Sequence, residues 1–300
     1  MKNREFERIH EKEAHGTLRF HLNVHEFTSD PSRAERVSPH WHEEYELLCI
    51  CEGEGSAQIG GRRFSFAAGD ILFIDAGCVH SLSAPVGTPL SFYAVDFGRD
   101  LIDSYGNDDI RQKYIHPQSS RELRFCNHFS SGDEVWPQLS AALSELLLLY
   151  RQGISGNELL LKACLLQLWH FLSAHPATNV SVSTRDDRNA ALAKEILQFI
   201  QENYASNLTL SHLASRFYMS EGQFCRFFKS QIGMTAIEYL NYYRIGVACD
   251  LLRREGALSD TSVSSVAMAC GYGNISYFNR VFRRYMHCTP REYKQKNIDS

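Results

Sequence analysis

The sequence predicts an α+β protein of two domains: an antiparallel β-barrel carrying a helical pair, then an all-α domain built from a duplicated unit. Three observations carry that prediction. Apolar and polar positions alternate between about residues 17 and 100, the period of strands. From about residue 133 the spacing becomes helical. In the last third, one stretch repeats at a constant offset of 54 residues.

The strand region is clearest in LLCICEGEGSAQIGGRRFSFAAGDILFIDAG (47–77), where EGEG, GG and AGD turns separate short alternating runs. Such spacing implies an antiparallel sandwich or barrel. VWPQLSAALSELLLLYRQG (135–153) and NELLLKACLLQLWHFLSA (157–174) then form two helices, broken at Gly153 to Gly156 and each too apolar to stand alone. The polar stretch PATNVSVSTRDDR (176–188) is a linker. Domain one is therefore 1–175, with barrel 17–100 and helices 133–175, and domain two is 189–300. Leu192, Ile196, Phe199 and Ile200 mark a helical face at the start of the second.

The repeat aligns FCRFFKSQIGMTAIEY (224–239) with FNRVFRRYMHCTPREY (278–293). Upstream, LASRFYMS (213–220) faces VAMACGYGN (266–274), which has one extra residue. Each copy is a helix, a tight turn and a second helix, over about 209–232 and 263–286. Thr209 caps the first helix, and Ser220 with Gln223 forms a capping box for the second. In the other copy a helix from about Ser264 ends at the turn from Gly271 to Gly273, and Asn274 caps the next. Further boxes stand at Thr235 with Glu238 and at Thr289 with Glu292, where Pro290 suits the first helical position.

Phe224, Phe227 and Phe228 lie three and four residues apart, and Phe278, Val281, Phe282 and Tyr285 repeat the stripe, so both are core. Glu221, Gly222, Cys225, Arg226 and Lys229 occupy the opposite face of the first helix. Ile275, Ser276, Asn279, Arg280 and Arg283 occupy that of the second. One basic helical face is usually just solvated. Two matching ones, each behind a helix and tight turn, suit insertion into major grooves, with early residues at base edges and Arg or Lys at guanines or phosphates.

LTLSHLASRFYMSEGQFCRFFKSQIGMTAIEYLNYYRIGVACDLL, followed by VSSVAMACGYGNISYFNRVFRRYMHCTPREYK, resembles the AraC/XylS family of bacterial transcription regulators. The similarity covers roughly 100 residues, and A-x-x-x-G-Y, F-x-R-x-F-[KR] and T-P-x-x-[YF] are its most specific parts. It implies two helix-turn-helix units joined by a long helix over about 236–254, with Glu221, Gly222, Cys225 and Arg226, then Ile275, Ser276, Asn279 and Arg280, as base readers. Gly222 departs from the larger side chain common at its position, which shifts the first unit toward Arg226 and backbone contacts.

In the strand region, six residues separate His40-Trp41-His42-x3-Glu46 from Gly53, and Gly69-x5-Asp75-x-Gly77-x2-His80 follows. These resemble the two cupin motifs, with Ala34, Asp75 and Ala84 in place of the family's glycine, proline and asparagine. His40, His42, Glu46 and His80 fall on its four metal-ligand positions, a set suited to a divalent transition metal. The alternative is a pocket for a small-molecule effector, where the same side chains bond ligand or core and no chemistry occurs. No further acid–base residue stands out beside the four, so the expectation is a sensor with no required cofactor rather than an enzyme.

The net charge of −4 divides unevenly: residues 189–300 hold 13 Lys+Arg against 9 Asp+Glu, leaving 18 against 26 for the rest. A polyanion therefore belongs at the C-terminal end. The nine cysteines form no C-x-x-C pair, which argues against zinc ribbons and thioredoxin-like sites and for buried thiols. The charged start, MKNREFERIHEKEAHG, lacks a secretory apolar stretch, and no run reaches the ~18 apolar residues of a membrane span, so the expected location is the cytoplasm.

Together these observations predict a sequence-specific regulator of promoter DNA, controlled by an effector such as a sugar or related metabolite bound in the barrel. The apolar LSELLLLY and LLKACLLQLWHF faces of the helices at 133–175 predict a homodimer paired through them, and the resemblance adds activation, contact with RNA polymerase and, as in some relatives, an N-terminal arm (1–16) acting as a latch that its own residues do not demand. In the rival arrangement the helices pack only on their own barrel. A rival from another class is a metal-dependent cupin enzyme fused to a DNA-binding module.

Overall fold

A computed structural model describes residues 20–29, 36–104, 106, 108–120, 123–177, 184–254 and 262–298. The N-terminal arm and Ala34 lie outside these. The described residues divide after residue 190 into two compact units.

The first unit begins with eight strands: β1 (Leu22–Thr28), β2 (Arg36–His40), β3 (Tyr45–Glu52), β4 (Glu54–Ile59), β5 (Arg62–Ala67), β6 (Ile71–Ile74), β7 (His80–Ser83) and β8 (Ser91–Phe97). A ninth, β9 (His128–Phe129), pairs with β6. The strands form two antiparallel sheets, ordered β1-β8-β3-β6-β9 and β2-β7-β4-β5. Among the described residues no ladder joins the sheets, so the expected barrel is an open two-sheet sandwich.

The corners explain why the chain crosses between sheets instead of continuing one ladder. Gly53, at φ +96°, ends β3 and sends β4 to the other sheet, and a Cβ there would lie 2.0 Å from the Pro89 carbonyl oxygen. Gly69, at φ +92°, returns the chain to the first sheet before β6. Only glycine tolerates these corners. Leu48, Ile50, Leu72, Ile74, Phe92 and Ala94 meet Ala57, Ile59, Phe66 and Leu82 across the interior.

A short irregular helix, Arg111–Ile115, runs into α1 (His116–Ser119), a segment that periodicity did not indicate. The expected pair follows as α2 (Trp136–Gln152) and α3 (Glu158–Ala174). Leu139, Leu143, Leu146, Leu161, Leu165 and Leu168 pack on the outer face of the larger sheet against Leu47, Phe73 and Val95. Trp169 anchors α3 there, donating its indole N–H to the Tyr114 carbonyl oxygen at 2.9 Å. Pro176 bridges back to Phe125. The linker expected over 176–188 is partly outside the described residues, and from Thr184 it is already helix.

The second unit contains the greater part of α4 (Thr184–Glu202), then α5 (Leu210–Arg216), α6 (Glu221–Ile232), α7 (Ala236–Arg254), α8 (Val263–Ala269), α9 (Ile275–Met286) and α10 (Pro290–Ile298). Its helix starts sit where local capping places them. The Thr209 hydroxyl accepts from the His212 N–H, Ser220 and Gln223 close a reciprocal box, and Asn274 accepts from the Tyr277 N–H. Thr235 with Glu238 and Thr289 with Glu292 make the other two boxes.

The turns also repeat. The Tyr218 N–H bonds the Ser215 carbonyl and the Met219 N–H that of Ala214, just as Gly271 bonds Met268 and Tyr272 bonds Ala267. Both turn residues are left-handed, Tyr218 at φ +56° and Gly271 at φ +79°. The extra residue of the second copy is Gly273, which follows this turn. Tyr218 is 96% exposed, so its ring meets no wall. At Gly271 a Cβ would lie 2.7 Å from the Ala205 carbonyl oxygen and 2.8 Å from that of Tyr204.

Gly271→Ala is therefore expected to cost about 2 kcal/mol or more, from left-handed strain plus backbone overlap. Tyr218→Gly, in the twin turn, should leave stability unchanged or slightly higher. Urea denaturation of the full chain measures both, and equal stability of Gly271→Ala and wild type contradicts the packing described.

Candidate functional site

Two groups of residues carry the chemistry, one in each unit. In the second unit, α6 buries Phe224, Phe228 and Ile232 and α9 buries Phe278, Val281, Phe282 and Met286. Phe227 and Tyr285, expected in the core, are half-buried at its edge. With those stripes inward, Glu221, Gly222, Cys225, Arg226 and Lys229 are exposed on α6, and Ile275, Ser276, Asn279, Arg280 and Arg283 on α9. All ten expected residues thus lie at solvent on two equivalent helices.

The two faces differ in how their arginines are held. On α6, an Arg226 terminal nitrogen lies 3.6 Å from where a Gly222 Cβ would stand. A Cβ at 222 would therefore touch that guanidinium at ordinary van der Waals distance. On α9, the Arg280 guanidinium lies over the Tyr277 ring at 5.2 Å. The residue matching Tyr277 in the first copy is Gln223, whose side chain is committed to the capping box. Repeat alignment alone did not single out Tyr277, because its role depends on a partner in another helix.

In the first unit, strand register assembles the expected quartet. A bulge between Val37 and His40, at Pro39 of the edge strand β2, sets His40 opposite His80 of β7. His42 follows β2, tied down where its carbonyl accepts from the Gly77 N–H at 2.7 Å. Glu46 lies in β3, 2% exposed, and its Oε2 is 3.0 Å from His80 Nε2 and 3.3 Å from His42 Nε2. The His40 and His80 rings are 4.1 Å apart.

Each imidazole turns its other nitrogen to the backbone. His40, His42 and His80 place Nδ1 at 2.8, 3.1 and 2.9 Å from the carbonyl oxygens of Ser38, Glu44 and Cys78. Nδ1 therefore carries a proton in all three, and Nε2 faces inward. Metal-binding histidines are oriented in this way. Ligand atoms of His40, His42 and His80 lie within 4.8 Å of one another, as do those of His42, Glu46 and Asp96. The donor set and its tautomers fit a divalent metal, held by the three Nε2 atoms and Glu46.

Asp96 was not anticipated. It is 4% exposed and pairs in register with Glu46 on one side and Asn23 on the other, which brings His25 to 3.4 Å from its Oδ2. The sequence does hold a trace of it: an acidic residue in SFYAVDF at the same parity as Phe92 and Ala94.

Burial and neighbouring charge set the protonation of the group. Burial drives the His40 pKa well below its ordinary 6.5, helped by charge on His80 and His42. For His42 burial acts in the same direction, but the Glu46 hydrogen bond and charge outweigh it and push the pKa up to about 9. Burial works to raise the Glu46 pKa, yet His80 and His42 hold it well below the usual carboxylate range.

These features define an effector-controlled DNA-binding regulator: paired recognition helices in one unit and a ligand-binding sandwich in the other. An AraC-like ligand binding domain model matches residues 22–169, and a helix-turn-helix domain model matches residues 213–296. The chain belongs to the AraC/XylS family of transcription regulators. It is 24% identical to the uncharacterised HTH-type transcriptional regulator YdeC of Bacillus subtilis (strain 168), over 94% of each chain. It is also 24% identical to the HTH-type transcriptional activator RhaS of Klebsiella pneumoniae (strain 342), over 94% of this chain and 96% of that protein. Among solved structures, ToxT from Vibrio cholerae O395 aligns over 91% of this chain and 96% of its own, at 14% identity and a TM-score of 0.44. No described helix is long and apolar enough to cross a membrane.

The protonation pattern has a measurable consequence in metal-free protein. A histidine pKa raised from 6.5 to about 9 contributes stability that is complete below 6.5 and lost as pH rises through 9. Glu46, depressed below 4.5, contributes stability present above 4.5 and lost as pH falls through its folded value. The pair therefore supports the sandwich best between those unfolded values. Glu46→Gln should bring the His42 midpoint, followed by imidazole NMR, from about 9 to its ordinary 6.5 or lower. A midpoint near 9 in both proteins contradicts the assigned cause.

Proposed function

We propose that the chain is a cytoplasmic transcription activator whose two recognition helices read successive major-groove segments of a promoter, under control of a small molecule bound in the sandwich. The observation that carries this reading is the duplicated face: ten exposed residues in equivalent places on two capped helices. Arg226 and Arg280 are its guanine readers, Glu221, Cys225, Ile275, Ser276 and Asn279 contact base edges, and Lys229 and Arg283 meet phosphates. Gly222, which has no side chain to reach a base edge, leaves the first copy to Arg226 and backbone contacts. The effector class, a sugar or related metabolite, and contact with RNA polymerase follow the family's habit.

Domain boundaries follow the same reading, with residues 1–175 sensing and 189–300 binding DNA. Control requires an effector that binds two arrangements of the protein with different affinity. No catalytic step is part of the reading. Its rival, a cupin enzyme fused to a DNA-binding module, requires metal-dependent turnover and is overturned by metal-free protein that still binds its promoter.

A metal ion in the quartet is the second reading, favoured by the three Nδ1 bonds that leave Nε2 inward. The ion would fix the sandwich interior and supply a positive centre there. Its binding competes with the His42 proton, so affinity rises with pH. The His42 resonance reports it: one equivalent of zinc removes the titration, while a titration unchanged in excess zinc eliminates metal from the account.

The helical pair α2 and α3 is proposed to join two copies of the chain. Leu159 is 85% exposed, Leu148 59% and Leu160 53%, with Leu166 also at solvent, more apolar surface than one sandwich uses. Leu159→Glu with Leu166→Glu should convert dimer to monomer in sedimentation velocity without unfolding either unit. An unchanged mass shows instead that the pair serves only its own sandwich.

On DNA, Arg280→Ala should cost about 1–3 kcal/mol on the operator and little on unrelated sequence. A non-specific architectural binder would lose equally on both. Lys229→Ala and Arg283→Ala should each lower the magnitude of the salt slope by roughly 1 while leaving sequence preference in place.

A further inference from the structure

Arg280 belongs to a chain of contacts that runs inward from the surface of α9 to α7, the helix between the two copies of the repeat. Its guanidinium lies over the Tyr277 ring at 5.2 Å. The Tyr277 hydroxyl accepts a hydrogen bond from Asn241 Nδ2 of α7 at 3.1 Å. Asn241 Oδ1 in turn accepts from the Tyr272 hydroxyl at 3.2 Å. Arg244, one turn along α7, lies over the Tyr272 ring at 5.3 Å and donates to the carbonyl oxygens of Tyr204 and Ser206, both at 2.8 Å.

The inner members are buried, Asn241 at 9%, Arg244 at 8% and Tyr272 at 3%, whereas Tyr277 is 38% exposed. The contacts therefore pass from a fixed interior to a half-open platform beneath a solvent-facing arginine. Among the described residues no equivalent chain runs from α6, where Gln223 closes the capping box in the place of Tyr277.

We propose that Tyr277 is a positioning residue for base recognition: its ring, anchored by Asn241 of α7, holds the Arg280 guanidinium in the orientation that reads its base pair. The physical reason is entropy. A free arginine on a helix surface samples many rotamers and loses them on binding, whereas one already laid on an aromatic face has lost part of that freedom beforehand. A planar guanidinium stacked on a ring also keeps its donors directed outward, which suits bidentate contact with guanine. Asn241 does not approach the DNA-facing surface, yet its side chain sets where the platform stands. Discrimination at one base pair then depends on the packing of α7.

This inference rests on the reading that Arg280 contacts a base. The test uses the full-length chain with an operator obtained by selection from random DNA. Affinity is measured for every single-base variant of that operator, and thermal melting confirms that each variant protein is folded. Arg280→Ala should erase preference at one or two adjacent base pairs. Tyr277→Leu, which keeps bulk but has no ring face, should weaken preference at those same positions by about two- to fivefold. Preferences elsewhere in the operator and the salt slope should not move. Tyr277→Phe, which keeps the ring and loses the Asn241 anchor, should fall between Tyr277→Leu and wild type. Tyr277→Leu that lowers affinity equally on all sequences, or that leaves the Arg280 base pairs unaffected, overturns the positioning role while base reading stands. Arg280→Ala without any change in base preference overturns both.

Discussion

A twelve-residue helix is marginal in water, and both α6 and α9 are of that length. Each exists because its aromatic stripe is buried: Phe224 and Phe228 in one copy, Phe278 and Phe282 in the other, all fully enclosed. That burial is the constraint from which the second unit follows. Turning the stripe inward leaves one narrow face outward, and the capping residues at Ser220 and Asn274 fix where along the helix that face begins. The exposed set is thus a consequence of packing. The proposed DNA-reading face is the side of each helix that the core does not need.

The sandwich obeys a different constraint. It buries two carboxylates, Glu46 and Asp96, next to histidines, and a charge taken out of water must be paired or neutralised. Glu46 is paired with His42 and His80, which holds the His42 imidazole charged, while burial drives His40 neutral. An interior arranged this way responds to whatever replaces a proton, because a cation or ligand entering it must displace charge already balanced. This gives the first unit a physical basis for sensing.

What was legible in the sequence was local. Capping boxes such as Thr235 with Glu238 involve residues three apart, and the constant repeat offset carries the same information twice. The histidine and glutamate quartet was legible because its spacing falls within two short motifs. What escaped was set by contacts between distant segments. Closure of the barrel depends on how Gly53 and Gly69 route the chain between sheets, and alternation cannot distinguish that routing. Asp96 joins the quartet only through the pairing of β8 with β3, and β9 exists only because β6 offers it an edge. Tyr277 is likewise ordinary in sequence until Asn241, 36 residues earlier, is placed against it.

The central claim is that each chain reads DNA with two helices and not one. Methylation interference on DNA selected from genomic fragments tests it most directly, because a methyl group at guanine N7 blocks a major-groove contact without changing charge on the backbone. The account predicts two interference patches per chain on one face of the duplex, about 10 base pairs apart, the second disappearing in Arg280→Ala. A single patch, or retention of DNA without any interference pattern, would contradict it.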